Sequence, residues 1–187
     1  MQRRNLLIAT MAIAFAPLVA PVLAQTRTPV AKVLGKTIYS DEVSPRRSLD
    51  GQIVRPLVQR FAEQQKLTVT EAEVVELETA LKLPPPPAGL SDADKAMLRE
   101  LPRGMVLQWK VSKALYQRYG GEVIFQQANP MEPVGAMRKF LEEQEKAGAF
   151  EIYNADDRKR FFEYYVRPQM MVVPKEKVNF DVPWWRK

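Results

Sequence analysis

The segment Thr68-Val-Thr-Glu-Ala-Glu-Val74 constrains the fold more tightly than any other part of this 187-residue chain. Thr70 and Glu73 have the T-x-x-E spacing of a capping box, in which each side chain satisfies a backbone N–H of the other residue. Val69 and Val74 occupy the two positions of a hydrophobic staple, which sets the angle at which the chain runs into the helix. A helix is therefore expected to start at Glu71 and run to about Lys82. Upstream, Ile53, Val54, Leu57, Val58, Phe61 and Ala62 recur at helical spacing in an amphipathic run reaching Leu67. Further upstream, Val33 and Ile38 flank Leu34-Gly35 within Val30 to Tyr39, which predicts two very short strands joined by a tight turn.

The chain opens with basic Arg3 and Arg4, then an apolar run from Leu6 that closes on Val22-Leu-Ala24. This is the layout of a secretory signal peptide, with cleavage expected between Ala24 and Gln25. The alternative is a retained membrane anchor, because the run is nearly long enough to span. Pro17 and Pro21 argue against a stable spanning helix. No Cys follows the small residues, so a lipoprotein anchor is excluded. Removing the first 24 residues leaves 163 and takes away Arg3 and Arg4, so the net charge falls from +6 to +4. That mild surplus permits weak association with an anionic membrane surface without demanding it. There is no basic patch with interleaved aromatics, so nucleic acid is not an expected partner.

The chain has no Cys and no His. Disulfides are absent although an exported protein could form them. The usual His/Cys zinc ligands are missing, and Ser-His-Asp and Cys-His arrangements cannot be built. No Gly-rich phosphate loop or Gly-x-Ser-x-Gly elbow is present. Two acidic clusters, Glu71/Glu73/Glu76/Glu78 and Glu142/Glu143/Glu145, have residue types suited to acid–base work or to a divalent ion. Both lie opposite the apolar stripes of their helices, the ordinary position of a solvated face. Ser112-Lys113 offers a dyad by residue type, with nothing around it to mark it. The expectation is a protein with no catalytic, cofactor-binding or metal-binding residues.

After the second helix, Pro84 to Pro87 form a stiff polyproline stretch, read as a linker over 84–90 rather than as a ligand for a proline-recognising module. Ser91 caps a short helix that Pro102 and Gly104 are expected to break. A further helix follows from about Met105 to Tyr119 and closes at Gly120-Gly121. Its stripe carries Met105, Trp109 and Tyr116, read first as core and second as an adaptable binding surface. Glu122 to Gln127 looks extended, Asn129 to Pro133 is a turn, and Pro133 suits a first helical position. The next helix runs to Lys146, with Val134, Met137, Phe140 and Leu141 on one side, and Gly148 ends it. Phe150 to Tyr153 is again extended. Asn154 caps a last helix with Asp156 and Asp157 in its first turn. Phe161, Phe162, Tyr164, Tyr165 and Val166 make that helix apolar over much of its circumference, so it should be covered on several sides by the faces of Ile53-Leu57-Phe61 and Val106-Trp109-Tyr116. The tail over 169–187 holds Met170, Met171, Trp184 and Trp185, and is read as an arm packed over the body or as an exposed partner contact.

The order of pieces from Val30 to Val74 resembles the N-terminal domain of the SurA/PrsA group of extracytoplasmic chaperones and parvulin-type prolyl isomerases. The likeness rests on Val30-Ala-Lys-Val-Leu-Gly-Lys-Thr-Ile to Val43, on the helix through Phe61-Ala-Glu-Gln-Gln-Lys66, and on Leu67-Thr-Val-Thr-Glu-Ala-Glu-Val74. It covers roughly a third of the exported chain. Leu34 stands where the family has Asn before Gly, and Pro45 interrupts what the family carries as a longer first helix. The resemblance implies a mostly α, multi-helix domain with a few very short strands, completed by a returning C-terminal helix for which Phe161 to Tyr165 is the candidate. It implies a periplasmic, non-catalytic chaperone-like protein that binds apolar segments of unfolded or partly folded envelope proteins, weakly and with little sequence preference. The parvulin isomerase domain, with its active-site His, has no counterpart. The alternative is an accessory or structural subunit of an envelope complex, docking through the proline-rich spacer and the Trp-Trp tail. Contact candidates are Met105, Trp109, Tyr116, Met170, Met171, Trp184 and Trp185. The expected organisation is a signal peptide over 1–24, a SurA-like segment over 25–83, the linker, a helical region over 91–168 packing back on that segment, and the tail.

Overall fold

A computed structural model describes residues 27–127 and 130–186. The expected signal peptide with its Ala24–Gln25 junction, and Asn129 of the expected turn, lie outside the described residues. The protein is mostly α-helical with a small antiparallel sheet: β1 (Pro29–Val33), β2 (Lys36–Tyr39), α1 (Leu49–Gln64), α2 (Glu71–Leu81), α3 (Asp92–Tyr119), α4 (Val134–Lys146), β3 (Phe150–Ile152) and α5 (Ala155–Val166). Three single-turn 3-10 helices, at Ser40–Glu42, Lys175–Lys177 and Trp184–Arg186, complete the described elements. The sequence predicts six or seven helices; among the described residues five α-helices form, because the two predicted on either side of Pro102 are one.

That one is α3. Pro102 and Gly104 do not break it, and it runs for 28 residues, about 42 Å. An internal proline costs a backbone hydrogen bond and about 3 kcal/mol. Two effects offset this. The turns before it, Ala93-Asp-Lys-Ala-Met-Leu-Arg-Glu100, are rich in strong helix formers and start from a Ser91 cap bonded to the Asp94 N–H at 3.1 Å. The turns after it are anchored by buried Val106, Trp109, Val111 and Leu115, and the Pro102 ring is itself buried.

The sheet order is β2-β1-β3. Ala31 is fully buried at its centre, opposite Ile38 on one side and Ile152 on the other. The β1–β2 connection is a two-residue turn with Leu34 at φ 47° and Gly35 at φ 84°. Positive φ at both positions is the type I′ pattern, which favours Asn-Gly because a side chain with a Cβ is otherwise strained there. Capping follows the sequence closely. Thr70 Oγ1 accepts from the Glu73 N–H, Glu73 Oε2 accepts from the Thr70 N–H at 2.9 Å, and Asn154 Oδ1 accepts from the Asp156 and Asp157 N–H groups. Pro133 sits one residue earlier than expected, as the N-cap of α4. Behind it, α4 approaches the 120–122 turn so closely that a Cβ on Gly135 would lie 2.4 Å from the Glu122 nitrogen, which leaves glycine as the residue that fits.

Apolar side chains sort into two cores. The first joins the sheet, α1, the second half of α3, α4 and α5 through residues such as Ile53, Leu57, Phe61, Leu115, Phe140 and Phe161. Phe140 sits between Phe61 and Tyr119, and Phe161 meets Phe150 and Phe162 with centroids 5.5 and 5.0 Å apart. The second core joins α2, the middle of α3, Val123, Met131 and the tail: Leu77, Val106 and Trp109 close on Phe180 and Trp185. Helix α5 rests on α4 and β3 and shares the first core with Ile53, Leu57 and Phe61, but it does not join Val106 and Trp109, which the tail covers. It is also less enclosed than its composition suggests: Phe161 and Phe162 are buried, while Val166 is 53 % exposed.

Two stability predictions follow from these placements. Leu34→Asn should raise stability by about 1 kcal/mol, since Asn tolerates the left-handed conformation that Leu adopts under strain. The backbone bond from the Leu34 N–H to the Ala149 carbonyl, 2.8 Å long, is untouched. Urea melts of the two proteins make the comparison, and an unchanged or lower midpoint would remove strain from the account of this turn. In the second core, the Trp185 Nε1–H is buried and meets no acceptor among the described residues. Leaving such a donor unsatisfied costs about 1–3 kcal/mol. Trp185→Phe should therefore stay near the parent's stability, whereas Trp185→Ala should lose about 3–5 kcal/mol. Equal losses for both would mean that the indole N–H is satisfied after all.

Candidate functional site

A broad apolar groove runs between α1 and α3. Its α1 wall is Val54, Val58 and Ala62; its α3 wall is Leu107 and Val111; Leu67 closes one end. Its volume is about 870 Å³, within the range of sites that bind a ligand rather than a water molecule. The wall arises because the apolar stripe of α1 is too wide for one neighbour. Ile53, Leu57 and Phe61 point into the first core, while Val54 and Val58, one residue further round, remain half-buried beside it. Gln59, Glu63, Lys66, Thr68 and Gln108 rim the groove with polar groups.

The closed end is held by ions. Lys110 Nζ donates to the Thr68 carbonyl at 2.5 Å and to Glu73 Oε2 at 2.9 Å. Arg103 donates to the Val69 carbonyl at 3.2 Å and pairs with Glu71. Two cations of α3 thus grip the turn that begins α2. Burial pushes the Glu73 carboxyl up, but bonds from Lys110 and Thr70 outweigh it and hold it below the usual carboxylate range.

The acidic clusters are engaged in similar pairs. Glu76 binds Arg186 of the tail, Glu142 binds Arg138 at 2.8 Å, Glu143 binds Arg118 at 2.8 Å and Glu145 binds Arg158 at 2.6 Å. Among the described residues no three Asp or Glu converge as a cation site. Ser112 is buried, and Lys113 faces Asp181 at 3.8 Å.

The contact candidates fall in two places. Met105, Trp109, Tyr116, Trp184 and Trp185 come together in the second core, where Trp109 is 4 % and Trp185 7 % exposed. The tail seals them: Trp109 stacks on Phe180 at 5.2 Å and meets Trp185 edge-on at 6.1 Å. Trp109 and Trp185 therefore offer no open surface. Met170 and Met171 do stand exposed. Of the groove residues, Val54 and Val58 were legible only as core-type apolar positions, and Leu107 and Val111 lie outside the stripe that the sequence marks on their helix. The available signal was the doubled stripe of α1, two adjacent apolar residues per turn where burial on one neighbour needs fewer.

A separate polar knot lies where α5 meets the segment before α4. The Tyr164 hydroxyl donates to Glu132 Oε2 at 2.9 Å and accepts from Gln126. Burial raises the Glu132 carboxyl above its ordinary range, and the Tyr164 bond only partly opposes this. Burial and the same bond push the Tyr164 phenol up to about 12.

No protein-family model, curated protein or solved structure matches this chain.

The raised Glu132 carboxyl gives a pH prediction. Its folded form takes up a proton more readily than its unfolded form. Above the raised value the fold therefore bears the cost of an ionised, half-buried group, and that cost disappears as pH falls through it. Glu132→Gln keeps the acceptor for Tyr164 and removes the charge. The variant should be more stable than the parent at pH 7, and the gap should close as pH approaches the ordinary value of 4.5. Chemical denaturation of both proteins across that range measures it; a gap independent of pH would contradict the burial account.

Proposed function

We propose that this chain is an exported, non-catalytic, chaperone-like protein that shields apolar segments of unfolded or partly folded envelope proteins, and that the α1–α3 groove is where it holds them. The groove carries this reading. It is an open, apolar trough with a polar rim, a surface that lowers its free energy when covered by an apolar segment whose backbone also needs hydrogen-bond partners. Burying one large apolar side chain there is worth roughly 1.5–3 kcal/mol, so a few such contacts yield weak, sequence-tolerant binding. The resemblance to the SurA/PrsA N-terminal domain supports the same reading, as does the order of hairpin, amphipathic helix and capped helix. The accessory-subunit alternative loses one of its docking elements, since Trp185 is covered by its own chain.

The test is suppression of aggregation during refolding of several unrelated client proteins by the intact chain and by Val58→Asp. Val58 is only partly buried, so the variant should melt close to the parent. Suppression is expected across clients and should fall several-fold in the variant. Activity toward a single client, or activity indifferent to Val58→Asp, would overturn the proposal.

A further inference from the structure

The groove has a chemically distinct end. Gly51 and Arg55 line both the groove and an adjoining cavity of about 530 Å³ between the β1–β2 hairpin and the start of α1. Four cations stand around this cavity: Lys36 from β2, Arg46 and Arg47 from the loop before α1, and Arg55 from α1. Among the described residues no Asp or Glu lines it. Asp50, the nearest acid in sequence, lines a different cavity with Val43 and Phe161. Among the described residues none of the four cations has an ion-pair partner, whereas Arg27, Arg103, Arg118, Arg138, Arg158 and Arg186 each lie against a carboxylate. The cavity floor includes buried Val33 and Ile38. Clustered like charges beside an apolar floor raise the free energy of the empty site, and an anion relieves it.

We infer that the groove selects polypeptide segments in which a short apolar stretch is flanked at one end by acidic side chains, whose carboxylates seat among Lys36, Arg46, Arg47 and Arg55. This rests on the groove reading above and specifies its ligand. The dimensions suit it. From Arg55 to Glu63, α1 rises about 12 Å, the span of about four extended residues. The rim favours a peptide over an acyl chain, because Gln59, Thr68 and Gln108 can donate to and accept from backbone amides that a lipid tail lacks.

The experiment titrates the intact chain against fluorescent peptides with acetylated and amidated ends, read by anisotropy. One peptide carries Asp-Glu before four apolar residues, one carries Asp-Glu after them, and one carries Asn-Gln in place of the acids. At least one acidic peptide should bind on the order of tenfold more tightly than the neutral one. That preference should collapse at about 0.5 M salt and in the double variant Arg46→Glu/Arg47→Glu, whose residues line the basic cavity but not the groove, while the neutral peptide binds both proteins alike. Both arginines are exposed, and a thermal melt checks that the variant folds. Equal binding of acidic and neutral peptides, lost in Val58→Asp, would overturn the charge selection and leave the groove reading standing. Absence of binding by every peptide would overturn both. Vesicles of phosphatidylglycerol that displace the acidic peptide, where phosphatidylcholine vesicles do not, would assign the basic end to a lipid surface and overturn the inference.

Discussion

Helix α3 is the part on which both cores depend. Val111 and Leu115 on its second half belong to the first core, while Val106 and Trp109 one turn earlier belong to the second. A single rod shared in this way fixes the position of α2 and the tail relative to the sheet and α1. That requires continuity through Pro102, where the local rules favour a break. The clamp of Arg103 and Lys110 on the Thr68–Val69 carbonyls sits just past this weak point. It links the helix directly to the capping box that starts α2, so the strongest local signal in the chain is also a tertiary joint. These charges are partly exposed, so their contribution is modest as ion pairs. Their larger effect is geometric, since each also satisfies a backbone carbonyl.

The sheet shows a second kind of constraint. β1 pairs with β2 across a two-residue turn and with β3 across more than a hundred intervening residues. Closing a long loop costs little more than closing a medium one, so the distant partner is affordable once Phe150 and Ile152 enter the first core with Phe161. The C-terminal third is thereby tied to the N-terminal third through backbone hydrogen bonds as well as packing. The Tyr153 N–H donates to the Val30 carbonyl at 3.0 Å and continues that tie past the end of β3.

What the sequence made legible was what near neighbours decide. The caps at Thr70, Ser91 and Asn154, the turn at Leu34-Gly35 and the stops at Gly120 and Gly148 all involve residues within a few positions of one another. The short strands and the helix-rich class followed from period alone. Pro102 was misjudged because its local penalty was visible and the distant anchoring of Val106, Trp109 and Leu115 was not. The fate of the aromatics was similarly hidden. Whether Trp109 is core or surface depends on Phe180 and Trp185 docking from the far end of the chain, and no periodicity encodes that. The groove was the least legible feature, because an amphipathic stripe marks residues that avoid water without saying which of them find a neighbour.

The groove persists because the helices that wall it are each stabilised elsewhere. α1 is committed to the first core through Ile53, Leu57 and Phe61. α3 is held on its opposite face by the second core and by the tail, whose Arg186 pairs with Glu76 of α2. Neither helix needs Val54, Val58 or Leu107 to be fully covered in order to fold. The distance between the two walls is set by packing that the groove residues do not share, so the trough can remain open in the free protein without collapsing. It also follows that the tail, although remote from the groove, bears on its width: loosening Trp185 and Phe180 would free the back of α3 and let its front face settle onto α1. A trough built this way is preorganised by the two cores, and the apolar area it leaves in contact with water lowers its free energy when covered.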